Sequence, residues 1–230
     1  MERCNHGTGA HERDVDARGS APGNARAWLL IEHSGPWEDK VFNTAGIPAF
    51  AHTAASLGIR VQLIRRPGKV ATGQTYCAWT AGSAPWMRRF CAPSPVHPSD
   101  EGDDPVGVES SNTPALDVSS FPALARGERI PGGRTVHEPM YLVCTNARRD
   151  VCCGRLGSQL ARTLAAEGYP VWETTHVGGH RFAPNLVILP HGLYYGPVDA
   201  EGAVTAIEAH LNGTFSARGF RGRAGVPAAN

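Results

Sequence analysis

Two cysteines and two histidines are the residues best equipped for chemistry in this chain. Cys144 and Cys153 are separated by eight residues and flank the polar segment NARRDVC. Twenty-three positions after Cys153 comes His176-Val-Gly-Gly-His180. Two soft thiolates and two imidazoles, each pair carried by one loop, make a four-donor metal set. Cys152 lies beside Cys153 and is the alternative second thiolate. The Gly178-Gly179 pair between the histidines argues for a tight loop whose backbone approaches whatever the rings hold. A buried cysteine can equally be a small apolar packing residue. Placement at a strand end and a helix start, followed by H-x3-H, shifts the reading to metal ligation.

The elements that must position these donors are legible. Residues 141–144 read as a short apolar strand ending in Cys144. Leu156, Leu160 and Leu164 recur at helical spacing with Gly168 as the stop, so Cys153 falls at a helix N-terminus. Free N–H groups and the positive end of the helix dipole favour a thiolate there. Residues 170–175 read as a strand that delivers His176. Upstream, the pattern gives strands at 28–31, 60–64 and 75–79, a helix over 47–57, one helical turn at 86–90 and a short helix over 116–126. Downstream come a strand at 185–190, its hairpin partner at 193–196 and a helix over 203–211. The two halves thus run through similar elements in the same order.

The stretch resembles the sucrase/ferredoxin-like family, a branch of the thioredoxin-like [2Fe-2S] ferredoxins. The resemblance is carried by Cys144, Arg149-Asp150, Cys153-Gly154 and His176-Val-Gly-Gly-His180-Arg-Phe-Ala-Pro-Asn185. Softer matches are Trp28-Leu-Leu-Ile-Glu32, Gly35-Pro-Trp37 and Leu63-Ile-Arg-Arg-Pro-Gly68. It implies Cys144, Cys153, His176 and His180 as cluster ligands, and a cis peptide bond at Pro184. It also implies an α/β fold of two tandem, degenerate thioredoxin-like units with mixed sheets, ligands surviving only in the second. On that reading residues 1–25 are a disordered tail and 26–91 a unit without ligands. Residues 92–138 are a linker and insertion, 139–213 the ferredoxin unit and 214–230 a flexible tail.

Around the four donors, Asp150 is a candidate hydrogen-bond acceptor for a ligand histidine. Cys152 is a neighbouring packing thiol, and Arg181 is a cation that can lie over the site. Two neutral imidazoles in place of thiolates raise the potential of a [2Fe-2S] centre. Their second ring nitrogens allow reduction to be coupled to proton uptake.

Composition narrows the rest. The 230 residues carry 22 basic and 21 acidic side chains, a net charge of +1. That balance provides no general attraction to nucleic acid or to an anionic membrane. No apolar run approaches a membrane span, and the first residues lack the apolar core of a secretory signal. Six cysteines without an export signal point to metal or redox use in the cytoplasm rather than disulfides. Cys4, His6 and His11 sit in the polar amino-terminal stretch and have no partner at ligand spacing. The segment 92–114 is rich in proline, serine and acids, a solvated insertion rather than a docking patch. Neither a Rossmann GxGxxG nor a Walker loop is present, and no paired-carboxylate site supports a glycosidase. The expected function is an electron carrier served by a separate redox partner protein, with a homodimer left open. The alternatives are a structural Cys2His2 zinc site, a thiol oxidoreductase using Cys152 or Cys153, and a metal-free binding module.

Overall fold

The computed structural model describes residues 17–91 and 114–226. Most of the expected amino-terminal tail, with Cys4, His6 and His11, lies outside the described residues. So do residues 92–113 of the insertion and the end of the expected carboxyl-terminal tail.

Among the described residues the chain forms ten strands and four α-helices. The first half holds β1 (Ala27–Glu32), α1 (Ala49–Ser56), β2 (Arg60–Arg65), β3 (Gln74–Trp79), β4 (Trp86–Cys91), α2 (Phe121–Arg126) and the two-residue β5 (Arg134–Thr135). The second holds β6 (Met140–Cys144), α3 (Ser158–Ala166), β7 (Val171–Thr174), β8 (Leu186–Leu189), β9 (Leu193–Tyr195), α4 (Ala200–Leu211) and β10 (Phe220–Arg223). The strands form one mixed sheet in the order β10-β9-β8-β6-β7-β2-β1-β3-β4-β5. Two separate sheets are therefore not what the chain builds: β2 and β7 pair antiparallel through Ile64↔Thr174 and Arg65↔Glu173 and fuse the halves. An ion pair between Arg65 and Glu173, 2.6 Å, reinforces that seam.

Within each half the pairing pattern repeats. β1 runs parallel to β2 and antiparallel to β3, which pairs antiparallel with β4. β6 runs parallel to β7 and antiparallel to β8, which pairs antiparallel with β9. Alternation along the central strands splits their side chains between two cores. Leu29 and Ile31 face α1 and α2 beside Phe121 and Leu124. Tyr141 and Val143 face α3 and α4 beside Leu160, Leu164 and Ile207. The opposite face is shared by both halves and gathers Trp28, Leu30, Leu142, Cys144 and Trp172. The sheet curls over this shared core, because the Trp28 and Tyr194 rings approach to 6.4 Å although β1 and β9 are far apart in strand order.

Three expectations change. The segment Trp86–Cys91 is a strand rather than a helical turn: every residue pairs with β3, from Gln74↔Cys91 to Trp79↔Trp86. Apolar residues at Trp86, Met87 and Phe90 mimic helical spacing, and the hairpin partner overrides it. Residues 214–230, expected to be flexible, supply β10, which pairs with β9. The described end of the expected amino-terminal tail packs against the same strand, with Ala21 N–H bonded to Arg221 O at 3.1 Å. The helix expected over 116–126 starts only at Phe121, after a 3-10 turn at Val118–Ser120. Among the described residues no helix is long and apolar enough to cross a membrane.

Candidate metal centre

Cys144 is the last residue of β6 and is fully buried. After it the chain makes a tight turn closed by its own polar side chains. Asn146 Oδ1 accepts from Arg149 N–H at 3.2 Å, and Asn146 Nδ2 donates to Glu38 O at 3.0 Å. Asp150 Oδ1 accepts from the N–H groups of Cys152, 2.9 Å, and Cys153, 3.2 Å. The Asp150 carboxylate therefore caps the helix start and fixes the backbone that carries Cys153.

Cys153 opens a π-helical turn, Cys153–Gly157, that runs into α3. Such widened turns are frequent at functional sites. Two glycines let this turn press against the strand. A Cβ on Gly157 would overlap the Cys144 carbonyl, and one on Gly154 would overlap Ala147. The tight packing brings the two thiols together.

The histidine loop is held by its carbonyls. His176 O accepts from Arg60 at 3.3 Å and from Gln62 at 3.2 Å, both on β2 in the first half. Val177 O accepts from the Tyr194 hydroxyl at 3.3 Å. Gly178 O accepts from Arg221 at 3.2 Å, and Gly179 O from Asn185 Nδ2 at 3.1 Å. His180 O accepts from Ala183 N–H at 3.0 Å. With each carbonyl engaged, the loop is held through its backbone. Ala183–Pro184 is cis, as the resemblance implies.

The structure brings three of the four expected donors together. Donor atoms of Cys144, Cys153 and His176 lie within 4.8 Å of one another, and His176 Nδ1 is 4.0 Å from Cys144 Sγ. His180 stands just outside this trio, its ring centroid 5.6 Å from that of His176. Cys152 is buried in the same core but is not one of the three. Its sulfur is bound in a disulfide, so the expectations of a packing thiol there and of cysteines used for metal or redox chemistry rather than disulfides do not hold at this position. Arg181 is exposed and lies over the Phe182 ring, its guanidinium carbon 4.6 Å from the centroid.

The electrostatics follow from burial and contact. Hydrogen bonding from Cys153, aided by the hydrogen bond and charge of His176, holds the Cys144 thiol well below its ordinary range despite burial. The Cys153 thiol is pushed up by its bond to Cys144 and by burial. The opposite shifts have one cause, the contact between the two thiols. A metal held between them would need both sulfurs deprotonated.

Sequence reasoning missed the most heavily engaged cation. Arg221 on β10 is only 1% exposed and bonds Asn185 Oδ1 at 2.5 Å, Ser20 O at 2.9 Å and Ser20 Oγ at 3.0 Å, besides Gly178 O. Burial lowers its pKa to about 10, so it stays charged at neutral pH. Nothing in the glycine- and arginine-rich tail marks it. Gln62 had a signal, a polar residue inside the apolar run of β2.

Comparison with known proteins gives the family. The model of the sucrase/ferredoxin-like family matches residues 19–222. A relative from Meyerozyma guilliermondii, "Altered inheritance of mitochondria protein 32", is 34% identical over 83 residues. That match covers 30% of this chain and 29% of the relative, so it spans under a third of the relative's length. No solved structure matches. With the family model extending over almost all of the described residues, the chain belongs to the sucrase/ferredoxin-like family.

Proposed function

We propose that this chain is an electron-transfer protein that holds a [2Fe-2S] cluster through Cys144, Cys153, His176 and His180. The carrying observation is the convergence of Cys144, Cys153 and His176 within 4.8 Å, with the His180 ring alongside. The donor set fits the group: two buried thiols in contact with each other, and two imidazoles on a loop whose carbonyls are engaged. When bound, such a cluster supplies a one-electron couple, and neutral imidazole ligation places its potential above that of an all-thiolate centre. Cys144 and Cys153 supply the anionic side of the site. His176 and His180 supply the neutral side, and each keeps a second ring nitrogen at which a proton can be held. Leu142 and Val177, buried in the same core as Cys144 and Cys153, keep water from the thiols.

Two repeats of a 2-1-3-4 strand order, with the third strand antiparallel, support reading each half as a thioredoxin-like unit. The same reading makes the protein a carrier in a reducing, cytoplasmic setting, served by a separate redox protein, rather than a self-sufficient oxidoreductase.

A zinc site is the second reading, and one observation favours it. Three donors within 4.8 Å are as compact as a single tetrahedral ion requires, with His180 as the fourth. Metal and sulfide analysis of freshly purified protein, with its visible spectrum, separates the two. Two irons and two acid-labile sulfides per chain with visible absorption are expected. One zinc per colourless chain would overturn the cluster.

A further inference from the structure

The strand register sets two clusters of side chains in matching places. The last rung between β1 and β2 is Glu32↔Ile64, and the last between β6 and β7 is Cys144↔Thr174. Two residues beyond Ile64 is Arg66; two beyond Thr174 is His176. Glu32 and Arg66 therefore stand in the first half where Cys144 and His176 stand in the second. Around them opens a cleft of about 550 Å3 at the seam of the halves, a volume usual for small-molecule sites.

Among the described residues the lining carries three cations and one carboxylate, a positive balance. Arg66, Lys69 and Arg89 line the cleft, and none forms an ion pair among the described residues. The one carboxylate among the lining residues, Glu32, offsets part of the Arg66 charge and is bonded within the lining itself: its Oε2 accepts from Thr72 N–H at 2.7 Å, Thr72 Oγ1 at 2.7 Å and Gln74 N–H at 3.0 Å. Arg66 is held in place, its guanidinium 4.0 Å from the centroid of the buried Trp172 ring and bonded to Val171 O at 3.4 Å. Tyr76 meets Trp172 edge-on at 5.7 Å and completes an aromatic wall. Burial lowers the Arg66 pKa. An anion in the cleft would offset the cost of that partial burial by charge-assisted bonds.

We propose that this cleft binds a small organic polyanion, a molecule bearing phosphate or carboxylate groups and a flat apolar part. Arg66, Lys69 and Arg89 take the anionic groups, and Tyr76 and Trp172 take the flat part. The site stands apart from the metal reading, since neither cysteine nor histidine takes part.

Isothermal titration of the full chain with AMP, pyrophosphate and citrate tests it, with the Trp172 indole N–H followed by NMR. At least one probe should bind one-to-one with Kd below about 1 mM. Arg66→Gln should weaken it at least about tenfold, by loss of a charge-assisted contact. Lys69→Gln, an exposed change that spares the fold, should weaken it several-fold, and Arg129→Gln should leave it unchanged. AMP binding tighter than pyrophosphate assigns the flat part to the aromatic wall; citrate binding tightest assigns carboxylate. No heat from any probe at about 5 mM, binding unchanged in both Arg66→Gln and Lys69→Gln, or a Trp172 signal that stays put would overturn the site.

Discussion

The two halves of this sheet place different chemistry on the same rungs. At the end of β6 and two residues beyond β7 stand Cys144 and His176; at the matching points of β1 and β2 stand Glu32 and Arg66. One set is soft and suited to a transition metal, the other hard and charged. Each site is also walled by the other half. Arg60 and Gln62 of β2 hold the His176 carbonyl, while Val171 and Trp172 of β7 seat Arg66. The half without metal donors is therefore part of the metal site's framework. The shared geometry lies in strand ends and the loops that follow them, and the side chains there are free to change.

The largest effect should come from breaking the contrast at its thiols. Cys153→Ser should abolish the metal centre, because a hydroxyl is a poor substitute for a soft thiolate. Cys152→Ser and Cys77→Ser should keep it. Cys77 is buried in the first half, and burial pushes its thiol up out of the reactive range. Metal content and the visible spectrum of the three variants check this; retention in Cys153→Ser with loss in Cys152→Ser would exchange the two cysteines.

Next in size is Arg221→Met. It strands Gly178 O, Asn185 Oδ1 and Ser20 O, and each lost bond to a charged donor is worth about 1.5–3 kcal/mol. A fall in stability of more than about 2 kcal/mol, with faster metal loss to a chelator, is expected by denaturant unfolding.

Gln62→Leu sharpens the claim that the first half holds the second. It removes one donor from His176 O and the acceptor of the Thr175 hydroxyl bond, 2.6 Å. The cost should be about 1–3 kcal/mol, with accelerated metal release although no donor is touched. Unchanged release in Gln62→Leu would confine the metal site to its own half.

The smallest effect is an acid sensitivity placed in the second half. His210 Nε2 and His191 Nδ1 lie 2.9 Å apart, and burial, then the charge of His191, lowers the His210 pKa to about 4. The folded chain binds fewer protons there than the unfolded chain between about pH 6.5 and 4. Stability from this pair is complete above about pH 6.5 and declines as pH falls through that window. His210→Gln should flatten the decline, read as urea midpoints across the window.

What the sequence made legible follows from what is local. The run Met140–Cys144, the leucine spacing of α3 and the Gly-Gly loop are local signals, and each element stands where the pattern puts it. The same locality explains the convergence of Cys144, Cys153 and His176, because parallel strands with a helical crossover bring their ends together. The strand β4 was hidden because Trp86-Met-Arg-Arg-Phe90 carries no period-two alternation, and only pairing with β3 decides it. The strand β10 was hidden because Phe220-Arg-Gly-Arg223 has one apolar residue and lies at an edge. Burial of Arg221 and the reach of Gln62 across the seam arise from contacts more than a hundred positions away in sequence, Ser20 and His176.

Arg221 also sets an order of events. It follows all four proposed donors along the chain, so during synthesis Cys144 through His180 emerge before the cation that secures Gly178 and Asn185. Until β10 pairs with β9, the histidine loop lacks one of its anchors, and a metal or its carrier meets it ajar. Pairing of β10 then latches the loop by way of a charged side chain, which needs polar partners to enter the interior, rather than an apolar plug that would seat wherever it found oil.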